Sequence, residues 1–326
     1  MTRSLSIIIV SYNTRDYLRG CLTSLERYRS TQPFEVVVVD NASTDGSVEM
    51  VLDEFPEARL VPRITNAGYG VALNIGVDVA SGQLLMFLNP DIEVTEGSVD
   101  HLCRFVADHE RAGVVGPRLL LADGSPQASA KHFCSTTRLV LEASRLPLLL
   151  PRKIRGRLLL GTYFDQSETR HVSWVSGACH VVPRAVWEDV GRLTEETFCG
   201  FDDYDYCFRA RAKGYQVWID AQSTMTHHCS VAVRDRWTEW EVEQVAIHNT
   251  YVVLGSHWPR WKVRSYLMAE IATYVSELVR IRVAPGGEPS QREYARRLRR
   301  RVALLDALLI GRQRPIRRFG AVGLDG

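Results

Sequence analysis

The chain has 326 residues, of which 45% are hydrophobic and 24% are charged, and its formal net charge is +2. This composition excludes a disordered chain, a collagen, a small disulfide scaffold and a wholly basic nucleic-acid binder. Its seven cysteines include no CxxC pair, which predicts a reducing compartment and no zinc site.

Three apolar runs in the first ninety residues predict buried strands: Leu5–Val10, Glu35–Val39 and Leu84–Leu88. Runs of this kind are typical of parallel strands that are covered on both faces. Between them, helical patterns lie around Asp16–Tyr28, Ser47–Glu54 and Gly70–Val79. This alternation predicts an α/β fold with a doubly wound sheet.

Polar clusters follow all three predicted strands: Ser11-Tyr12-Asn13, Asp40–Gly46 and Asn89-Pro90-Asp91. Asp and Asn often do no more than end strands and cap helices. Three such clusters in succession favour a ligand site, because ligands bind at the carboxyl edge of these sheets.

The middle and end of the chain depart from this alternation. Residues 139–160 are rich in Leu, Arg and Lys and are predicted to be an insertion. Strands and a helix are predicted again over 172–228. Residues 236–326 are predicted to form helices with breaks at Gly255, Pro259 and Pro285-Gly286-Gly287.

A second polar cluster contains Asp202, Asp203 and Asp205. A helix is predicted from Asp202 or Asp203 to Lys213, with Gly214 as its left-handed end. Helix capping and an i,i+4 Asp205–Arg209 pair explain one or two of the acids. A third acid is repelled unless a cation or a substrate proton compensates it.

Two histidines, His227 and His228, follow the next predicted strand. Such histidines are usually structural, but a histidine beside carboxylates could complete a Mn²⁺ site.

Together these motifs resemble the family 2 glycosyltransferases with the GT-A fold, and most closely the rhamnosyltransferases of cell-surface polysaccharide assembly. The resemblance covers roughly residues 4–232. The matching motifs are Val10–Asn13, Val39–Gly46, Asn66–Gly70 with Ala72, Asn74 and Gly76, Asn89–Asp91, Ser176–Ala178, Phe201–Asp205 with Arg209 and Gly214, and His227.

The resemblance implies a role for each matching residue. The nucleotide-sugar donor would be bound by Ser11, Tyr12, Asp40, Asp45, Asn66, Gly68, Asn89, Asp91, Gly177 and Ala178. Within this set, Asp40 would accept the imide N–H of uracil or thymine. Asp91 and His227 would hold Mg²⁺ or Mn²⁺ on the donor diphosphate, and Asp203 would be the catalytic base of an inverting transfer.

The chain departs from the wider family at two positions. Asn89 replaces the first carboxylate of the usual Asp-x-Asp metal motif, and Asp202 replaces the Glu that usually precedes the base. Asp205 remains an alternative to Asp203 as the base, and His228 remains an alternative to His227.

The expected enzyme is a metal-dependent, inverting glycosyltransferase that moves L-rhamnose from dTDP-L-rhamnose to a glycan or polyprenyl-linked acceptor. A UDP-hexose donor and an inactive sugar-nucleotide-binding scaffold are the alternatives. A dinucleotide-dependent oxidoreductase is disfavoured because Ser11–Asp16 contains no glycine. The expected domains are a catalytic domain at 1–232 and a helical, basic region at 233–326.

The C-terminal region has an apolar stripe with five arginines beside it. The stripe is Tyr294, Leu298, Val302, Leu305 and Leu309, and the arginines are Arg296, Arg297, Arg299, Arg300 and Arg301. Two interpretations stay open: a docking or dimerisation helix with a solvated basic face, or a helix on an anionic membrane surface.

Partners and location follow from the same features. We expect no nucleic-acid binding, since no aromatic residues interleave with the arginines. The apolar run at the N-terminus is too short for a secretory signal, and no stretch reaches about 18 apolar residues. We therefore expect a cytoplasmic protein, with the inner face of the cell membrane as a candidate location and a homo-oligomer left open.

Overall fold

The structure is a computed structural model that describes residues 4–229, 238–283 and 289–309. The described residues form two compact units. The first contains 4–133 and 156–229, and the second contains 134–155, 238–283 and 289–309.

The first half of the central sheet is parallel. Its strands are β1 (Leu5–Ser11), β2 (Phe34–Asp40), β3 (Arg59–Pro62) and β4 (Leu84–Leu88), in the order β3-β2-β1-β4. The helices that connect them are α1 (Arg15–Arg27), α2 (Ser47–Glu54) and α3 (Tyr69–Val79). The three strands and three helices predicted here are confirmed, and the fold is α/β.

The second half of the sheet is mixed. Strand β10 (Cys179–Pro183) runs antiparallel between β4 and β6 (Ala112–Leu120). Strand β11 (Gln216–His227) is parallel to β6 and antiparallel to β5 (Ile92–Val94). The short strand β8 (Arg170–His171) pairs with β11, whereas β7 (Ala130–Lys131) and β9 (Trp174–Val175) form a separate two-stranded sheet.

Apolar cores cover both faces of the sheet, as the uninterrupted apolar strands require. Neighbouring residues of β1 alternate between them, with Ile7 and Ile9 in one core and Ile8 and Val10 in the other. The first core is covered by α1, α2 and α4 (Ser98–Asp108), and the second by α3, α7 (Arg184–Val190) and α8 (Asp202–Ala212).

Helix α8 begins as predicted and ends at Ala212, one residue before the predicted Lys213. It starts at Asp202, and Gly214 follows it with a left-handed φ of 90°. The remaining elements of the chain's middle are α5 (Thr136–Ala143), a 3₁₀ turn (Leu146–Leu149), α6 (Arg152–Leu159) and a second 3₁₀ turn (Gly161–Tyr163).

Three long helices dominate the second unit: Glu239–His257, Arg260–Val283 and Pro289–Leu309. The predicted break at Gly255 is wrong, since the first of them continues through this residue to His257. Pro259 separates the first two helices as predicted, and Pro285-Gly286-Gly287 lies outside the described residues.

The third of these helices packs both its apolar stripe and part of its arginine cluster inside the second unit. Leu298 and Leu305 are buried, whereas Tyr294 is exposed and the side chain of Leu309 lies outside the described residues. Arg297 and Arg301 form ion pairs with the buried Glu243. The charges of two of the five arginines are therefore compensated by an acidic side chain of the same unit.

Among the residues that the structure describes, we find no helix with the length and apolar character needed to cross a bilayer.

Candidate functional site

The polar clusters meet at the carboxyl edge of the parallel strands. The strand register sets Ser11 beside Asp40 across β1 and β2, and Ile9 beside Leu88 across β1 and β4. The residues that follow each strand therefore emerge side by side. Asn89 and Asp91 come directly after β4.

Asp40 has a carboxylate oxygen with an unmet hydrogen bond. Its Oδ2 accepts the backbone N–H of Ser43 at 2.8 Å. Its Oδ1 is buried and has no hydrogen-bond partner within the described part of the chain. Burial also raises the pKa of this carboxyl. A buried acceptor without a donor is costly, and a ligand N–H would satisfy it.

Asp45 and Ser11 organise the surrounding loops. Asp45 accepts the backbone N–H groups of Arg15 and Ser47 at 2.9 and 3.1 Å, so it ties the start of α1 to the start of α2. The buried Ser11 hydroxyl lies 3.0 Å from the Thr14 hydroxyl. These contacts fix the loops that follow β1 and β2, and the neighbouring Tyr12 is partly exposed.

The predicted donor loop, residues 66–68, is held by Asn41. The Asn41 amide donates to Asn66 Oδ1 at 2.7 Å and to the Gly68 carbonyl at 3.3 Å. The Gly68 N–H donates to Asn66 Oδ1 at 3.1 Å. These bonds fix the loop beside Asp40, because Asn41 is its immediate neighbour.

Gly68 is required by two features of its surroundings. Its φ is +98°, and a Cβ there would lie 2.6 Å from the carbonyl oxygen of Phe198. No other residue fits both conditions without strain. The next N–H, of Tyr69, donates to the same Phe198 carbonyl at 2.8 Å. The donor loop is therefore in direct contact with the segment that leads to Asp202 and Asp203.

Asp91 and His227 are brought together from β4 and β11. Asp91 Oδ1 lies 3.2 Å from His227 Nε2, and both side chains are buried. The Nδ1 of His227 is 2.7 Å from Gln127 Oε1, so the acceptor Gln127 holds a proton on Nδ1. Nε2 faces the Asp91 carboxylate.

The donor atoms of this pair fit a divalent cation. Burial opposes charge on His227, but hydrogen bonds and charges from Asp91 and Cys229 outweigh it and raise its pKa to about 9. The imidazole proton thus occupies the position that Mg²⁺ or Mn²⁺ would take between the two side chains. Since the described residues contain no cluster of three or more His, Cys, Asp or Glu suited to a metal, further ligands would come from a bound diphosphate.

His228, the alternative to His227, faces elsewhere. Its Nε2 lies 3.0 Å from Glu93 Oε1 near the surface. The backbone N–H of His228 donates to the Asp91 carbonyl at 2.9 Å, but the imidazole beside the Asp91 carboxylate is that of His227.

Asp203 lies at the same edge. Its Oδ2 accepts the Gly177 N–H at 2.6 Å and its Oδ1 accepts the Tyr204 N–H at 2.7 Å. Burial raises the pKa of the carboxyl despite these bonds. The Ala178 carbonyl accepts the Asn89 N–H at 2.8 Å. Gly177 and Ala178 thus connect Asp203 to the loop that carries Asp91.

Asp205, the alternative base, forms a structural ion pair. Its Oδ2 lies 2.8 Å from Arg209 Nε, and Asp205 is buried. Arg209 also donates to the carbonyls of Val190 and Arg192. This geometry favours Asp203 as the proton acceptor.

Asp202 is a buried carboxyl directly before Asp203. Burial, and then the charge of Asp203, raise its pKa to about 7. Asp202 and Asp203 therefore titrate as a pair.

Replacing Asp202 by Asn should stabilise the fold at high pH. Folding raises the pKa of the Asp202 carboxyl to about 7, so ionising this carboxyl in the fold costs free energy. The folded wild-type protein therefore loses stability as pH rises through about 7. Melting curves between pH 4 and 8 should show an advantage of the variant that grows with pH.

The exposed Asp189→Asn variant is the control, since Asp189 pairs with Lys213 at the surface. A stability advantage of Asp202→Asn that stays constant between pH 4 and 8 would contradict the raised pKa of Asp202.

Three residues near the site carry roles that sequence reasoning did not assign. Asn41 holds the donor loop and Gln127 orients His227. Lys131 lies 4.8 Å from the centre of the Trp174 ring, and its charge partly offsets the burial of Asp203. Asn41 lies within a matched motif and could have been found there, whereas no pattern marks Gln127 or Lys131.

Comparison with known proteins agrees with this site. The family described as "Glycosyl transferase family 2" matches residues 6–173, slightly more than half of the 326-residue chain. The chain therefore belongs to the family 2 glycosyltransferases and is a sugar-transferring enzyme, as its motifs predict.

Two relatives are informative. The chain is 29% identical over 298 residues to an N-acetylglucosaminyl-diphospho-decaprenol L-rhamnosyltransferase of Mycobacterium tuberculosis, covering 86% of this chain and 94% of that protein. It is 32% identical over 238 residues to the O-antigen biosynthesis protein RfbC of Myxococcus xanthus, covering 72% of this chain and 18% of that protein. The chain is thus similar to proteins of cell-surface glycan assembly.

Solved structures confirm the GT-A fold. The mannosyltransferase PcManGT of Pyrobaculum calidifontis, in complex with GDP-Man and Mn²⁺, has a TM-score of 0.58 at 13% identity and covers 96% of this chain and 88% of its own. GalNAc-T7 with UDP, GalNAc and Mn²⁺ has a TM-score of 0.61 at 16% identity, and the match covers 96% of this chain and 58% of the GalNAc-T7 chain.

Proposed function

We propose that this protein is an inverting, divalent-metal-dependent rhamnosyltransferase that uses dTDP-L-rhamnose and a polyprenyl-diphosphate-linked sugar acceptor. One observation carries the mechanism. Asp203, a carboxylate held by the Gly177 N–H, lies at the same sheet edge as the Asp91–His227 pair. Sugar transfer needs both a proton acceptor and charge stabilisation for the leaving diphosphate.

Asp203 would take the proton of the acceptor hydroxyl as that oxygen attacks the anomeric carbon. Its raised pKa makes it a better base than an exposed carboxylate. With the base opposite the leaving group, the displacement is in line and inverts the anomeric configuration. No residue needs to form a covalent intermediate.

Asp91 and His227 would hold the cation on the donor diphosphate. When bound, Mg²⁺ or Mn²⁺ supplies Lewis-acid stabilisation of the departing charge. Gln127 keeps the His227 ring oriented with Nε2 towards Asp91. Both solved neighbours were determined with Mn²⁺ and a nucleotide or nucleotide sugar, which supports the same general requirement here.

Asp40 would select the base of the donor. Its unpaired Oδ1 can accept the imide N–H of thymine or uracil, and both pyrimidines present the same edge. Asp40 therefore does not distinguish dTDP-L-rhamnose from a UDP-hexose, which remains the second candidate donor. The M. tuberculosis relative, named as an L-rhamnosyltransferase, supports rhamnose.

The acceptor is proposed from the same relative, whose name gives an N-acetylglucosaminyl-diphospho-decaprenol. A polyprenyl acceptor is anchored in a bilayer by its hydrocarbon chain. The proposed enzyme would therefore work at the inner face of the cell membrane without crossing it.

A donor panel tests the proposal. Thermal shift and donor hydrolysis are measured with dTDP-L-rhamnose, UDP-glucose, UDP-galactose, UDP-N-acetylglucosamine and GDP-mannose, each with and without Mn²⁺ or Mg²⁺. A ligand at one hundred times its Kd raises stability by about 2.7 kcal/mol. We expect metal-dependent stabilisation with dTDP-L-rhamnose and loss of this stabilisation in Asp40→Ala.

A larger thermal shift with a UDP-hexose would show that the donor is a UDP-hexose and would leave the proposed mechanism unchanged. A folded protein that responds to no donor would overturn the proposed function and favour an inactive scaffold. The exposed Asp189→Asn variant controls for the removal of one carboxylate.

A further inference from the structure

The turn between α5 and α6 presents large apolar side chains to solvent. Leu149 is 82% exposed, Leu146 59% and Ile154 55%. Leu148 and Leu150 are also exposed, whereas Pro147 is buried and anchors the turn. We use the name leucine–lysine surface for these residues and the two cations beside them: Leu146, Leu148, Leu149, Leu150, Arg152, Lys153 and Ile154.

Backbone hydrogen bonds hold this turn in shape. The Leu148 N–H donates to the Arg145 carbonyl at 2.9 Å, and the Leu150 N–H donates to the Pro147 carbonyl at 3.1 Å. Arg145 adopts a left-handed φ of 60°, which turns the chain out of α5. The exposed leucines are thus displayed by a formed 3₁₀ turn.

The same segment is strongly cationic. Residues 143–164 contain Arg145, Arg152, Lys153, Arg155 and Arg157 and no acidic residue. Arg145 is paired with Glu277 and Arg157 with Glu168. Within the described residues, Arg152 and Lys153 make no ion pair and are exposed, so the positive charge beside the leucines is uncompensated.

We propose that the leucine–lysine surface docks on an anionic lipid bilayer. Leucines would enter the acyl boundary while Arg152 and Lys153 contact lipid phosphates, an arrangement typical of helices that lie in the membrane interface. Residues 139–162 contain no aromatic residue, whereas protein interfaces are enriched in Tyr, Trp and Phe. An apolar surface beside unpaired cations complements a negatively charged bilayer.

The proposal goes beyond the transfer reaction, because docking requires neither a particular donor nor a particular acceptor. Its test therefore uses no donor. The full chain is mixed with sucrose-loaded vesicles of phosphatidylcholine, with or without phosphatidylglycerol, and the bound fraction is measured by sedimentation. We expect binding to the anionic vesicles that weakens as salt is raised.

Two variants and two controls define the surface. Leu149→Glu should lower the vesicle partition coefficient at least tenfold. Arg152→Ser with Lys153→Ser should lower it by about an order of magnitude, since each cation near such a surface adds several-fold in binding. Leu52→Glu, at a residue 60% exposed on α2, and Arg27→Ser with Arg104→Ser, both exposed, should leave binding unchanged.

Circular dichroism and melting curves check that each variant is folded, which the exposure of the altered residues leads us to expect. Three results would each overturn the proposal. They are equal binding to neutral and anionic vesicles, no binding to either, and binding by Leu149→Glu at the wild-type level. Light scattering tests whether a second copy of the chain binds this surface instead. If Leu149→Glu converts a dimer into a monomer, the surface is covered by a second copy of the chain and the proposal is wrong.

Discussion

Replacing Asp203 by Asn should lower kcat by about 10²–10⁴-fold while donor binding remains largely intact. This is the usual contribution of a positioned general base. The Asn side chain keeps one oxygen for the Gly177 N–H, which Asp203 now accepts at 2.6 Å, and gives up the bond to the Tyr204 N–H, so the loop at Gly177 should keep its shape. Initial rates and donor-induced thermal shifts measure the two effects separately.

Asp205→Asn is the matched control, because it removes a carboxylate two residues away on the same helix. Loss of its ion pair with Arg209 should lower the melting temperature, but kcat of the folded protein should remain within a few-fold of the wild type. The reverse pattern, with transfer retained in Asp203→Asn and lost in Asp205→Asn, would assign the base to Asp205.

Replacing Asp91 by Asn should abolish the metal dependence of donor binding and lower kcat/KM on the order of a hundredfold. The single carboxylate of the proposed cation pair would become a neutral amide, and His227 alone would be a weak ligand. Stabilisation by donor is titrated against Mn²⁺ for each variant. We expect the wild-type curve to saturate and the Asp91→Asn curve to stay flat.

Two neighbouring residues serve as controls for the Asp91 variant. Glu93→Gln and His228→Gln alter the surface pair beside the site and should leave the Mn²⁺ titration unchanged, whereas His227→Gln should shift it to higher concentration. An equal effect of the His227 and His228 variants would show that the assigned imidazole is wrong.

The sheet edge was predictable from sequence because its signals are local. Apolar runs such as Leu5–Val10 leave little alternative to a strand covered on both faces, and each is followed directly by polar residues. Parallel pairing then brings Asp40 and Asp91 to one edge without knowledge of any tertiary contact. Helix α8 was predictable for the same reason, with acids at its start and Gly214 at its end.

Other features depend on contacts between distant residues. Gln127 meets His227 across a sequence separation of 100, and Arg297 meets Glu243 across 54. No periodicity encodes such pairs. The antiparallel insertion of β10 between β4 and β6 depends in the same way on the order of strands, which neighbouring residues do not specify. Gly255 is the reverse case. The low helix propensity of glycine predicts a break there, but packing overrides it and the helix continues.

The close approach of Gly68 to Phe198 limits how this enzyme could be redesigned. No side chain beyond a hydrogen fits at residue 68, because the carbonyl of Phe198 occupies the place of its Cβ. A donor loop grafted from another glycosyltransferase would have to bring the segment around Phe198 with it, since the Tyr69 N–H also bonds to that carbonyl. Under the proposed function, the loop that binds the donor and the segment that carries the base share this backbone contact, so laboratory evolution of either should select compensating changes in the other.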